Sequence, residues 1–94
     1  MNKESFKKEA KQSLNEVKAK IDELEVKREK AEANTKAEYD EKLSWLKSKR
    51  DDLQEKYEKL LEATDEKWDE VKESFSSTAD SLKEKFSDFF SRFR

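Results

Sequence analysis

Large side chains recur at alternating spacings of three and four residues between Leu43 and Leu61, in the middle of the chain. This spacing brings them onto one face of an α-helix and is typical of the seam of a coiled coil, the stripe along which helices meet. Arg50 interrupts the seam. It either pairs with an acid on a facing helix or, as we expect, extends its aliphatic stem along the seam and reaches water. The seam of this central segment consists of Leu43, Leu46, Arg50, Leu53, Tyr57 and Leu60.

The composition favours helices throughout the chain. Its 94 residues include no Gly and no Pro, although turns normally draw on both. Because only 32% of the residues are hydrophobic, any apolar contact must be a narrow stripe. The 49% of charged residues is also typical of disordered chains. The periodic placement of the apolar residues and the many strong helix formers nevertheless favour ordered helices.

The apolar spacing changes twice, near Asn34 and near Thr64. Thr35, with Glu38 three residues later, has the pattern of a capping box and predicts the start of a second helix. Thr64 is a candidate N-cap for a third helix, followed by a run of acidic residues that suits a helix N-terminus. An unbroken helix through Asn34 is the alternative. With both breaks, the predicted helical segments lie near residues 3–33, 36–63 and 65–93.

These patterns predict an all-α protein, a single helical coiled-coil domain over residues 1–94. Its long amphipathic helices pack as an antiparallel helical bundle or coiled coil of about three segments. The alternative is one continuous helix, ~140 Å long, in a coiled-coil oligomer. A homo-oligomer, with a dimer preferred, is expected because a narrow seam leaves Trp45, Leu61 and Phe90 uncovered in a monomer. The predicted oligomer or core seam comprises Leu14, Val17, Ile21, Leu24, Leu43, Leu46, Leu53, Tyr57, Leu60, Trp68, Val71, Phe75 and Leu82.

The last segment carries most of the aromatic side chains and ends in four phenylalanines on one helix face. A helix that lies on a membrane surface has this pattern. Amphipathic helices bury this face against protein more often than against lipid, so we expect these residues to close the core of the bundle. The candidate lipid or partner face is Phe86, Phe89, Phe90 and Phe93.

The charge balance and the missing residue types exclude several classes of function. Lys plus Arg (22) nearly balance Asp plus Glu (24), which argues against a nucleic-acid partner. Without His, Cys or apolar volume to exclude water, we expect no enzyme, no cofactor and no small-molecule substrate. The acidic residues between Asp65 and Glu73 are interpreted as a solvated face and not as a metal site. No apolar run approaches the ~20 residues of a membrane span, so a cytoplasmic location is expected.

Four short motifs resemble a known family: Ile21-Asp22-Glu23-Leu24, Lys36-Ala37-Glu38-Tyr39, Leu46-Lys47-Ser48-Lys49-Arg50-Asp51 and Ala63-Thr64-Asp65-Glu66-Lys67-Trp68. From Ile21 to the C-terminus, the chain resembles the short bacterial coiled-coil proteins known as stress-response proteins, some of which are described as apolipoprotein-like. The resemblance implies an intracellular helical protein linked to stress, without catalytic residues. The Phe-rich tail departs from the Ala-rich tails of that family.

Two functional hypotheses follow. The first is a non-enzymatic structural or interaction protein, connected to stress by the resemblance, that acts through self-association and a highly charged surface. The alternative is a peripheral protein that binds lipid or a membrane surface through its amphipathic stripe. The expected partners are therefore further copies of the chain or a membrane surface.

Overall fold

The computed structural model describes residues 2–92, and 90% of these residues are helical. It contains three helices and no strands in this part of the chain: α1 (Lys3–Glu29), α2 (Ala33–Glu62) and α3 (Trp68–Arg92). The predicted all-α fold of three segments is confirmed. The bundle measures 50 × 18 × 17 Å, which is incompatible with one continuous helix.

The helices run up, down and up. Lys18 donates a hydrogen bond to Gln54 at 3.0 Å, and Glu25, further along α1, pairs with Lys47, which comes earlier in α2. The opposite order of these partners means that α1 and α2 are antiparallel. Helix α3 returns parallel to α1, since Phe6 near the start of α1 packs against Trp68 at the start of α3.

The start of α1 is capped by a residue that the sequence pattern did not single out. The Asn2 side chain accepts a hydrogen bond from the Ser5 backbone N–H at 2.7 Å. This contact satisfies one of the helix N–H groups that lack an intrahelical partner, which opposes fraying of the first turn.

The first connection lies earlier than the capping box predicted. Glu32, with an extended backbone, is the N-cap of α2, and its side chain makes no cap hydrogen bond. Thr35 and Glu38 therefore lie inside the helix, and the predicted capping box is wrong. No described residue has a positive φ, so the connection contains no left-handed turn. Across the connection Arg28 pairs with Asp40, a tertiary contact that the local sequence pattern does not contain.

The second connection is longer than predicted, and Thr64 is not an N-cap. Helix α2 ends at Glu62 and α3 begins only at Trp68. The carbonyl of Thr64 accepts a hydrogen bond from the Lys67 N–H at 3.1 Å, which closes a turn before the helix. Starting α3 at Trp68 lets the indole and Phe75, two turns later, both contact Phe6. The packing of α1 against α3 is consistent with this later start.

One hydrophobic core runs along the bundle, and each helix contributes a stripe with spacings of three and four. Six aliphatic side chains in it are fully shielded from solvent (0%), each stabilising the fold by about 1.5–3 kcal/mol relative to an exposed position. They are Leu14, Ile21, Leu24, Leu53, Leu60 and Leu82.

Helix α3 is continuous through Ser76, Ser77 and Thr78, although these residues are weak helix formers. Thr78 is 8% exposed, and its hydroxyl accepts a hydrogen bond from the Lys56 ammonium of α2 at 2.5 Å. The polar group is therefore paired inside the α2/α3 contact and does not interrupt the helix.

Candidate functional site

The residues predicted to form the oligomer or core seam lie inside the single chain. All belong to the buried cluster except Tyr57 and Val71, which are partly buried against it. Their side chains are covered by the other two helices of the same chain. A surface for a partner must therefore consist of residues at the edges of this core. The covered seam residues are Leu14, Val17, Ile21, Leu24, Leu43, Leu46, Leu53, Leu60, Trp68, Phe75 and Leu82.

The candidate lipid face is turned inward over most of its length. Phe86 and Phe89 are 2% and 4% exposed, and the Phe89 ring packs against Tyr39 of α2 with centroids 5.2 Å apart. Phe90 is partly buried beside Phe86. Phe93 lies outside the described residues. In the folded bundle, Phe86 and Phe89 are core residues.

Lysine ammonium groups lie over many of the aromatic rings at the edges of the core. Such contacts occur about once per 70–80 residues in proteins, whereas residues 2–92 contain at least seven. The ammonium groups shield aromatic surface that would otherwise face water, and they place positive charge beside it. The lysines concerned are Lys3, Lys11, Lys20, Lys27, Lys49, Lys72 and Lys85.

Trp45 stands out because lysines of two helices flank it. The ammonium of Lys49 lies 5.8 Å from its ring centroid, and that of Lys85 on α3 lies 5.6 Å away. The indole is partly buried and lines a groove of about 530 Å³ between α2 and α3. Leu46 and Phe89 also line it, but at 2% and 4% exposed they offer little apolar surface to the groove. We call it the Trp45 groove.

The sequence pattern identified only part of this groove. Trp45 was expected to be uncovered, and Lys49 follows it by one helical turn, so their proximity could have been predicted from helix geometry. Lys85 is 40 positions away and reaches Trp45 only because α3 packs against α2. No local signal reports that contact.

Ion pairs join the helices at both ends of the bundle. Arg28 binds Asp40 through two nitrogens, with the second hydrogen bond, from Nη2 to Oδ2, at 3.1 Å. These hydrogen bonds lower the pKa of Asp40 and raise the pKa of Arg28. Within residues 2–92, further interhelical pairs are Glu25–Lys47 at 2.7 Å and Glu38–Arg92 at 3.7 Å, and Lys3 pairs with Asp65 in the second connection.

Arg50 makes no such bridge to a facing helix among the described residues. Its guanidinium donates two hydrogen bonds to the neighbouring Asp51, both at 3.2 Å, and its side chain is 30% exposed. The charge at this seam position therefore lies at the surface of α2.

Two large aliphatic side chains are exposed on this charged surface. Val26 is 55% exposed and Leu61 is 49% exposed, although Leu60 beside it is fully buried. Val26 directly follows Glu25, whose carboxylate reaches Lys47 on α2. Leu61 lies one helical turn beyond Tyr57, whose ring contacts Lys11 of α1. Leu61 thus lies on the α1/α2 side of the bundle, and Val26 lies on the outer surface of α1, about 100° round the helix from Glu25.

The acidic residues around the start of α3 are exposed, and within residues 2–92 no three metal-ligating side chains come close enough together to hold an ion. None of the helices described has the length and apolar composition that a membrane span needs. Comparison of the chain with protein-family models, with curated proteins and with solved structures gives no match.

Proposed function

We propose that this chain is a non-enzymatic helical structural or interaction protein that acts through self-association and its highly charged surface. The observation that carries the proposal is the exposure of Leu61, at 49%, next to the fully buried Leu60. Among residues 2–92, the large hydrophobic side chains left exposed are Val26 and Leu61, so Leu61 adds apolar surface outside the core. A second copy of the chain would cover it.

The positions of Val26 and Leu61 suit a two-fold dimer. Because Glu25 pairs with Lys47, Val26 lies level with the middle of α2, about 20 Å along the bundle from Leu61. If two copies meet in opposite directions, with the outer surface of α1 in each copy against the α1/α2 side of the other, Val26 of each copy approaches Leu61 of the other. A two-fold axis forms this contact twice.

Sedimentation equilibrium tests the proposal. We expect the wild type to dimerise at high micromolar concentration, and Leu61→Lys or Val26→Lys to give monomers with unchanged helicity. Ser77→Lys, which adds the same charge at an exposed position of α3, is the matched control and should leave the dimer intact. A monomeric wild type, or equal dissociation by Ser77→Lys, would contradict the proposal.

Lipid binding through the Phe-rich face is less well supported. It requires Phe86 and Phe89 to leave the core, at a cost of roughly 1.5–3 kcal/mol for each side chain. We therefore expect the folded protein to remain unbound in vesicle co-flotation, both with and without anionic lipid. Flotation with anionic vesicles would favour the peripheral lipid binder instead.

Membership of the stress-response family, and with it a cytoplasmic role under stress, is part of this proposal. Its support is the set of motifs between Ile21 and Trp68. Quantitative mass spectrometry of the source cells before and after stress provides the test. We expect the amount of the protein to rise, and an unchanged amount across heat, osmotic and envelope stress would count against a stress role.

A further inference from the structure

The connection between α2 and α3 consists of residues that also suit a helix. Residues 63–67 contain neither Gly nor Pro. The chain leaves α2 at Ala63, whose φ of −64° is helical and whose ψ of 132° is extended. The Lys67 N–H then donates to the Thr64 carbonyl, and because no described residue has a positive φ, this turn is of type I, with torsions close to those of a helix. A backbone rotation near Ala63 would therefore join α2 and α3 into one helix.

The apolar faces of α2 and α3 are in phase across this connection. If residues 33–92 formed a single helix, at about 100° of rotation per residue, the buried residues of both helices would fall within one sector about 100° wide. Leu60 and Trp68, on either side of the connection, would lie about 80° apart in that sector. A fused helix would therefore carry one continuous apolar stripe.

A fused helix cannot fold back on its own chain, so its α3 half has to be covered by a second copy. Two chains related by a two-fold axis at the connections would each place α3 against α1 and α2 of the other. The order of the helices allows this, because α3 begins at the end of the bundle where α2 ends. Each bundle then keeps the core contacts of the single chain, such as Tyr39 with Phe89 and Phe6 with Trp68, but makes them between chains.

The first connection has the same phase but is held more firmly. The buried residues of α1 fall in the same sector. Arg28 and Asp40 join α1 to α2 beside this connection by two hydrogen bonds, and such a bidentate contact fixes both side chains. At the second connection, Lys3 holds Asp65 by a single contact, and the Asp65 side chain is 95% exposed. The second connection is therefore the one expected to open.

We propose that two copies of the chain exchange α3, with residues 63–67 forming part of a continuous helix in each copy. The fused helix over residues 33–92 is about 90 Å long, whereas the single bundle measures 50 Å. Because α3 must leave its own chain, the exchange takes place when the protein folds at high concentration, and the product separates slowly on dilution. This exchange is independent of the surface dimer proposed above, in which each bundle stays closed.

Asp65 offers a matched pair of variants. Asp65→Ala and Asp65→Pro both remove the ion pair with Lys3. Asp65 is the second residue of the type I turn, the position that favours Pro, and among residues 2–92 its N–H donates no backbone hydrogen bond. In a fused helix the same Pro would lie in the interior, where it removes a hydrogen bond and clashes with the preceding turn, whereas Ala is the best helix former.

The experiment refolds both variants from urea at millimolar protein concentration and then applies size-exclusion chromatography after dilution. Both variants also carry Val26→Lys, which removes the surface dimer, so that failure of that dimer and failure of the exchange give different results. We expect Asp65→Ala to give a dimer that persists after dilution. Asp65→Pro should give at least about tenfold less dimer, and its monomer should have the helicity of the wild type.

Isotope-filtered nuclear Overhauser contacts identify the exchanged helix in dimers refolded from mixed labelled and unlabelled chains. The contact of Tyr39 with Phe89 should be found between chains, and that of Lys11 with Tyr57, which joins α1 to α2, within one chain. Lack of a persistent dimer for Asp65→Ala, equal amounts of dimer for both variants, or lost helicity in the Asp65→Pro monomer would overturn the proposal. Contacts of Lys11 with Tyr57 between chains would also overturn it, because α1 would then be the exchanged helix.

Discussion

The two tryptophans have different surroundings although each lies under a lysine. Trp68 is 9% exposed and packs edge-on against Phe6 with ring centroids 5.8 Å apart, while Lys3 lies 5.5 Å from its ring. Trp45 is only partly buried, lies at an open groove, and has Lys49 and Lys85 beside it.

This difference separates residues that hold the bundle together from residues available to other molecules. Trp68 is packed with Phe6, which also contacts Phe75, so its contacts are made with the core of the same chain. Part of the Trp45 ring lies beside a groove, together with the ammonium groups of Lys49 and Lys85. The lysine neighbour is common to both, and burial distinguishes them.

The largest expected effect comes from removing the aromatic side chains of α3 that support both regions. Phe86 and Phe89 are 2% and 4% exposed, and Phe89 also lines the Trp45 groove. Phe→Ala in a core costs about 3–5 kcal/mol, and small domains have about 5–15 kcal/mol of stability in total. We expect Phe86→Ala with Phe89→Ala to abolish cooperative unfolding in urea followed by circular dichroism. Unchanged stability together with lost vesicle binding would support a lipid anchor instead.

The next effect compares the two tryptophans directly. Trp68→Ala should lower the free energy of unfolding by about 3–5 kcal/mol, as for other buried aromatic residues. Trp45→Ala should cost less than about 2 kcal/mol, because part of the ring is already in water. Urea titrations of the two variants provide the measurement. Equal losses would show that Trp45 is as much a core residue as Trp68.

The sequence predicted the core residues better than the connections or the groove. Leu43, Leu46 and Leu53 are buried because the spacing of apolar residues specifies one helix face, whatever that face packs against. The connections were misplaced by a few residues because, without Gly or Pro, no residue marks them. Glu32 directly precedes α2 and Lys67 directly precedes α3. These starting points are consistent with the contacts Arg28–Asp40 and Phe6–Trp68, which join distant parts of the chain and leave no local signal in the sequence.

The Trp45 groove could be predicted only in part for the same reason. The indole and Lys49 lie on one helix, and their spacing is visible in the sequence. The groove itself depends on how α3 lies against α2, which places Lys85 and Phe89 opposite Trp45. Periodicity specifies which face of a helix is apolar and does not specify the gap between two helices.

Between the two regions, Thr78 offers a smaller test of the α2/α3 contact. Its hydroxyl is buried and accepts the hydrogen bond from Lys56 at 2.5 Å. Thr78→Val keeps the shape of the side chain and removes the acceptor, so we expect a loss of about 1 kcal/mol in the free energy of unfolding. Ser77→Ala, at the exposed neighbouring position, is the control and should change it by less than ~0.5 kcal/mol. A gain in stability for Thr78→Val would mean that the hydrogen bond does not stabilise the fold.

The smallest expected effect concerns Arg28–Asp40, at the first connection. The hydrogen bonds from Arg28 lower the pKa of Asp40 in the folded state below its unfolded value of about 4. The pair therefore stabilises the fold above pH ~4, and this contribution is lost as the pH falls through the folded-state pKa. We expect Asp40→Asn to lower the melting temperature slightly at pH 7, and the difference from the wild type to disappear as the pH falls through the folded-state pKa of Asp40. A difference that persists unchanged in acid would contradict this assignment.

The central claim is that each chain folds back on itself, so that the aromatic face of α3 packs against α1 and α2 of the same molecule. Nuclear Overhauser contacts between the rings of Tyr39 and Phe89, with centroids 5.2 Å apart, test it most directly, with Phe6 and Trp68 as a second pair at 5.8 Å. In a mixture of labelled and unlabelled protein, isotope filtering separates contacts within a chain from contacts between chains. We expect both pairs to be in contact within one chain. Contacts found only between chains, or no contact at either pair, would contradict the fold described here.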